Sequence, residues 1–142
     1  MDNNGLILVT GASGFVGKWT TVQLLKAGYR VRGTIRSTHK AEQVRAATKA
    51  QAGADSLTRL ELVEADILDD RGWADAMRGV SAVMHVATAI RADEPKDSSL
   101  VIRPALEGTE RVLHAAHKAG VKRFIMTSSI ATVGYGHKGH EK

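Results

Sequence analysis

An apolar run, Leu6-Ile7-Leu8-Val9, passes directly into Thr10-Gly11-Ala12-Ser13-Gly14-Phe15-Val16-Gly17. No other stretch of the chain restricts the fold as tightly. Glycines at three-residue spacing between a strand and a helix each have a separate task. Gly11 makes a tight turn, Gly14 lets a ligand approach the backbone, and Gly17 lets the helix lie close on the sheet. A helix that opens at such a turn offers unpaired N–H groups and the positive end of its dipole. That combination suits the pyrophosphate of a dinucleotide, which Thr10, Gly11, Ser13, Gly14, Phe15, Val16 and Gly17 would cradle. The surroundings matter as much as the pattern, because the same glycines without a strand before and a helix after them say little.

The rest of the chain alternates in the same sense. Phe15, Trp19, Val22 and Leu25 recur at spacings of three and four and predict the core-facing side of a helix that Gly28 stops. Arg30–Ile35 reads as the second strand, and Ala41–Ala52 as a weakly amphipathic helix with Val44 and Ala47 on one side. Leu60–Glu64 is the third strand. Asp69 or Asp70 is expected to cap a short helix carrying Trp73 and Met77, ended by Gly79. Ser81–Val86 is the fourth strand. A longer helix follows, with Ile102, Leu106, Thr109, Val112 or Leu113, and Ala116 toward the core. Pro104 either kinks this helix or marks its start. Gly120 closes it, and Arg123–Thr127 is the fifth strand. Strand and helix repeated four times, then a strand, predict an α/β domain: a parallel sheet covered on both faces, with right-handed crossovers. The stretch 134–142 reads as a loop.

Composition removes several classes of function. The chain has 142 residues, about one domain, and no cysteine, so disulfides, thiolate metal sites and a cysteine nucleophile are excluded. The first four residues carry no basic segment of a signal peptide, and no apolar run approaches the ~20 residues that span a bilayer. A cytoplasmic protein without a membrane partner is expected. The net charge of +5 is scattered along the chain with few aromatic residues, which suits an anionic cofactor better than nucleic acid. His114 and His117 lie one helical turn apart, and His137 and His140 flank Lys138-Gly139. Two-histidine pairs of this kind are more often solvated surface, so that is expected rather than a metal site.

The second strand bears on the choice of dinucleotide. In a Rossmann unit an acidic residue at its end holds the ribose 2′-hydroxyl and selects NAD. Ile35 stands there, followed by Arg36, with no carboxylate beside it in the sequence and Lys40 close behind. A guanidinium grips a 2′-phosphate by charge-assisted hydrogen bonds, so NADP is expected, with NAD as the alternative.

These segments together resemble the extended branch of the short-chain dehydrogenase/reductase superfamily, of the NAD-dependent epimerase/dehydratase type. The turn Val9–Gly17 is most similar to that of the dihydroflavonol reductase and cinnamoyl-CoA reductase group. Val31-Arg32-Gly33-Thr34-Ile35-Arg36, Ala65-Asp66-Ile67, His85-Val86-Ala87-Thr88 and Phe124-Ile125-Met126-Thr127-Ser128-Ser129 follow in the family's order, along nearly the whole chain. The resemblance implies a Rossmann-type doubly wound sheet of about five strands. It implies that Asp66 bonds the adenine amino group and that Ile67 contributes its backbone or packs on the ring. Val86, Ala87 and Thr88 would line the ribose–nicotinamide region, with His85 a packed core residue. Ser129 aligns with the family's catalytic serine, which hydrogen-bonds the substrate oxygen and does not act as a nucleophile.

The family's acid/base is a tyrosine with a lysine four positions later on one helical face, beyond the fifth strand. Tyr135-Gly136-His137-Lys138 has the wrong spacing and lies among glycines, so it does not supply that pair. The chain reads as the N-terminal part of an oxidoreductase that reduces an aldehyde or ketone. It is expected to be inactive alone and to self-associate through the flank of its fifth strand. A sugar-nucleotide epimerase or dehydratase, a hydroxysteroid dehydrogenase and a non-catalytic dinucleotide sensor are the alternatives. The resemblance does not specify a substrate.

Overall fold

The structure, a computed structural model, describes residues 5–89 and 96–135. Its elements are β1 (Leu6–Val9), α1 (Phe15–Lys26), β2 (Arg30–Ile35), α2 (Ala41–Ala52), β3 (Leu60–Glu64), α3 (Trp73–Ala76), β4 (Val80–His85), α4 (Ser99–Lys118), β5 (Arg123–Met126) and α5 (Ala131–Gly134). The strands form one sheet in the order β3-β2-β1-β4-β5, with every pairing parallel. β1, all apolar and buried along its length, takes the central place. The expected doubly wound arrangement is present, with β4 and β5 each ending one residue earlier than the sequence suggested. Among the described residues no helix is long and apolar enough to cross a membrane.

Two clusters of apolar side chains make a three-layer domain. Val9, Val31 and Ile35 pack with Leu25 of α1 and Val44 of α2 on one side of the sheet. Leu6, Leu8, Val80 and Val83 pack with Trp73 and Met77 around α3 and with Val112 and Ala116 of α4 on the other. Each such side chain taken fully out of water contributes about 1.5–3 kcal/mol. Arg32 ties the second layer down. Its guanidinium pairs with Glu61 at 2.8 Å and donates to the carbonyls of Ala76 and Arg78 at 2.9 and 2.7 Å, where α3 ends. Cations are favoured at that end of a helix.

The helix faces match the periodicity at Val22, Leu25, Val112 and Ala116 and differ from it elsewhere. In α1 the buried positions are Gly17, Thr21, Val22 and Leu25, while Phe15 and Trp19 are exposed. In α4 they are Gly108, Val112 and Ala116, while Ile102, Leu106 and Leu113 are exposed. The reason is close approach. A side chain at Gly108 would put its Cβ 3.2 Å from Ile67, and one at Gly17 would strike the turn before the helix. Small residues, rather than the largest apolar ones, let these helices settle on the sheet. α4 begins at Ser99, so Pro104 lies inside it and leaves one carbonyl of the first turns without its intrahelical donor. Neither Asp69 nor Asp70 caps α3. Gly72 precedes that helix, and Asp69 instead accepts the N–H of Arg71 at 2.9 Å.

Candidate functional site

Between β1 and β4 the winding of the chain reverses, and open parallel sheets take ligands in the crevice at that point, outside the strands' carboxyl ends. Register determines which residues meet there. Val9 is level with Gly33 and with Met84, so the next residues, Thr10, Thr34 and His85, come together at one edge. All three are buried. The Thr10 Oγ1 accepts the N–H groups of Val86 and Ala87, both at 2.9 Å, and lies 3.0 Å from His85 Nδ1. With two donors already on that oxygen, its one proton goes to Nδ1, which must therefore be unprotonated. Burial shifts the imidazole the same way, holding its pKa below the ordinary histidine value. His85 is thus a neutral core acceptor that stacks obliquely against Phe124, and not a base.

The glycine turn is closed on its sheet side and open on the other. Gly11 adopts φ +67°, a conformation that L side chains avoid, and its N–H donates to Thr34 Oγ1 at 3.0 Å. The N–H of Ala12 donates to the Thr34 carbonyl at 2.8 Å, and that of Gly14 to the Gly11 carbonyl at 2.9 Å. At Gly17 a Cβ would stand 2.1 Å from the Gly11 oxygen, so the helix cannot seat there with any side chain. Gly14 is exposed, and a Cβ on it would meet only that same oxygen, at 3.3 Å. The N–H groups of Phe15, Val16 and Gly17 in the first turn have no intrahelical acceptor. No side chain caps them and no acid lies in that turn. An anion of phosphate chemistry fits these donors. Ser13 is half-buried beside them, and Phe15 and Val16 project outward.

A second region lies at the ends of β2 and β3. Ile35 is in register with Glu64, and a cavity of about 260 Å³ there is lined by Arg36, Glu64, Ala65, Asp66, Asp69, Arg71 and Gly72. Arg36 and Asp66, separated in sequence, thus share one cavity. Although no carboxylate stands beside Arg36 in the sequence, Glu64, Asp66 and Asp69 all line this cavity, carried there by strand pairing and by the loop after β3. Asp66 uses Oδ1 to accept the N–H of Leu68 at 3.0 Å, which makes it a turn residue as well. Ile67 is buried in the core, and its carbonyl accepts from Arg111, so its side chain does not face a ligand. Lys40 is half-buried at the head of α2.

The third region is the end of β5. The N–H of Thr127 donates to the His85 carbonyl at 3.0 Å, which sets the following serines beside the end of β4. Ser129 Oγ accepts the N–H of Ala131 at 3.2 Å, and Ser128 Oγ lies 3.4 Å from Thr132 Oγ1. Both serines are exposed, as is Thr88, while Val86 and Ala87 are half-buried. Ala87 is the nearest neighbour of Gly11 across the crevice, its Cβ 3.1 Å from where a Cβ of residue 11 would stand. His137, Lys138 and His140 lie outside the described residues, among which no group of His, Asp or Glu could hold a metal ion. A larger cavity, about 620 Å³, lies between α3 and α4; it is lined by His114, Arg111 and Asp70 among others, and by none of the residues expected to hold the cofactor or substrate.

Sequence reasoning missed Thr34, Asp69 and Arg71. Thr34 gave no local signal, since its partners are 22 and 23 positions earlier, in the turn. The sequence stretch Asp69-Asp70-Arg71 suggested only a helix start.

Residues 7–142 match the model of the NAD dependent epimerase/dehydratase family. A dihydroflavonol 4-reductase of Hordeum vulgare is 38% identical over 135 residues, covering 94% of this chain and 37% of the relative. Cinnamoyl-CoA reductase 1 of Oryza sativa subsp. japonica is 40% identical over 135 residues, covering 93% and 37%. A yeast methylglyoxal/isovaleraldehyde reductase, solved as a complex with NADPH, superposes with a TM-score of 0.74 at 27% identity, over 89% of this chain and 38% of that one. The chain therefore spans little more than a third of the length of these proteins.

Proposed function

The chain belongs to the NAD-dependent epimerase/dehydratase family, and on that premise we propose that it is the NADP-binding part of a reductase acting on an aldehyde or ketone. The observation that carries the reading is the uncapped first turn of α1, whose donors face the open side of a turn that Gly11 and Gly17 hold shut on the sheet. The pyrophosphate would rest on the N–H groups of Phe15, Val16 and Gly17, with Gly14 clearing its path. Arg36 would meet the 2′-phosphate, and Asp66, through the oxygen its turn leaves free, the adenine amino group. Val86, Ala87 and Thr88 would wall the nicotinamide side. When bound, the dinucleotide supplies the hydride. Ser129 would hold the substrate oxygen: its Oγ accepts from Ala131, so its proton remains to be donated.

Calorimetric titration of the chain with NADP and NAD tests this reading. In Gly14→Val the Cβ would lie 3.3 Å from the Gly11 oxygen, a tight contact with no other close neighbour, so circular dichroism should show the fold retained. The substitution should nevertheless abolish binding of both cofactors by occupying the approach of the pyrophosphate. A charge-assisted contact contributes about 1.5–3 kcal/mol, so Arg36→Ala should weaken NADP roughly ten- to a hundred-fold and leave NAD nearly unchanged. Unaltered binding in Gly14→Val would remove the basis of the proposal. Equal losses for both cofactors in Arg36→Ala would remove its preference for NADP.

A further inference from the structure

The loop between β3 and α3 is built more firmly than a connection requires. Asp66 accepts from Leu68, and Asp69 accepts from Arg71. The buried Trp73 indole donates to the carbonyls of both Asp66 and Asp69, at 3.0 and 2.9 Å. Gly72, at φ +84°, is pressed onto the end of β3 so closely that a Cβ would lie 2.4 Å from the Glu64 carbonyl. Of the side chains this loop presents to the cavity it shares with Arg36, namely Asp66, Asp69 and Arg71, only Arg71 is cationic and planar. Asp69 grips the Arg71 guanidinium along one edge, Nε at 2.9 Å and Nη2 at 2.6 Å from Oδ2. That grip leaves Nη1 and both faces of the planar group outside the pair. The pair with Asp69 gives this exposed guanidinium a preferred direction.

Resting on the reading above, we infer that Arg71 is an adenine-binding residue: its guanidinium face, oriented by Asp69, stacks on the base of the dinucleotide. Charge decides between the base and the 2′-phosphate as its target. Asp69 neutralises Arg71 locally and Glu64 adds a further negative charge on the same cavity, so a phosphate gains little from approaching Arg71. A flat neutral ring gains from the exposed face of the guanidinium, which packs on aromatic surfaces. The two arginines thus divide the task, with Arg36 reading the phosphate and Arg71 the base.

The test is to titrate the chain with 5′-AMP, NAD and NADP, following binding by calorimetry, in the wild type, Arg71→Ala and Arg71→Lys. All three ligands carry adenine, and only NADP carries the 2′-phosphate. Arg71→Ala should weaken all three by a common factor of about three to ten. Arg71→Lys keeps the charge but loses the plane, and should behave like Arg71→Ala. A loss confined to NADP, a lysine variant equal to wild type, or no loss at all would each overturn the inference while leaving the cofactor reading standing. Failure of the wild-type chain to bind any of the three would overturn both.

Discussion

Thr10 bears more of the site's geometry than any residue that faces the crevice, and replacing it with valine measures how much. Valine keeps the branched shape and the strand preference but removes the hydroxyl. Three hydrogen bonds end on that oxygen: the N–H groups of Val86 and Ala87 and the His85 Nδ1. The two amides are only partly buried and recover some hydration, whereas the imidazole nitrogen lies in the core. A typical bond contributes about 0.5–1.5 kcal/mol, and leaving its partner buried and unpaired costs about 1–3 kcal/mol. Counting the imidazole near the upper figure and the amides near the lower gives a loss of about 2–4 kcal/mol for Thr10→Val. That is a large share of the roughly 5–15 kcal/mol by which a domain is stable. Urea unfolding followed by circular dichroism reads it directly, with Thr10→Ser as the control that restores the hydroxyl. The serine variant should recover most of the loss. A valine variant within about 0.5 kcal/mol of wild type would show that the oxygen does not hold the end of β4 to the turn. The account of how the 86–88 segment is positioned would then be wrong.

Two further outcomes follow from single distances and pairings. Gly17→Ala should destabilise the chain by about 1–3 kcal/mol in the same assay, although alanine is the better helix former by about 1 kcal/mol, because its Cβ would fall 2.1 Å from the Gly11 carbonyl oxygen; a gain in stability would refute the close seating of α1. The Asp69 carboxyl, held down to about 2 by its hydrogen bonds to Arg71, should titrate there by carbon-detected NMR and return toward 3.8 in Arg71→Ala. Because its folded value is depressed, the stabilisation from this pair is complete above 3.8 and disappears as pH falls through about 2; an unchanged midpoint in the variant would show that Arg71 is not the cause.

The order of elements was legible because β1, β2 and β3 are short apolar or β-branched runs and glycines stand where α1, α3 and α4 end. The helix faces were legible only in part: Val22, Leu25, Val112 and Ala116 are buried as read, and the others are not, for a physical reason. Periodicity weighs side chains by hydrophobicity and so pointed to Phe15, Trp19, Ile102 and Leu106. Close packing of a helix on a sheet favours small residues instead, and Gly17, Thr21 and Gly108 make those contacts. The site divided in the same way. Its glycines and Arg36 could be read locally, since a turn and a strand end are each a few residues long. Glu64 could not, because it joins Arg36 only through the register that sets Ile35 beside it. Arg32 shows the converse. It lies in one of the stretches that carry the family resemblance, yet its guanidinium holds the carbonyls at the end of α3 and faces no crevice.

The distribution of burial suggests how this architecture separates holding a dinucleotide from acting on a substrate. Thr10, Gly11, Thr34 and His85 are locked to one another by bonds that run across three adjacent strands, at the centre of the sheet. A cradle made this way keeps its shape without a ligand, so little ordering has to accompany binding. Ser129 is placed differently. It lies three residues past β5, the strand at the edge of the sheet, where Ile125 and Met126 are about half exposed, and its neighbours are the short α5 and open surface. Its oxygen is oriented by one bond from Ala131 at 3.2 Å, against three for Thr10. A hydrogen-bond donor that must meet a developing charge accelerates a reaction only when it is fixed beforehand. Within the described residues, then, the proposed cofactor side is preorganised and the proposed substrate side is not. Affinity for the dinucleotide should therefore depend on residues 6–88, and Ser129→Ala should leave it unchanged in the same titration.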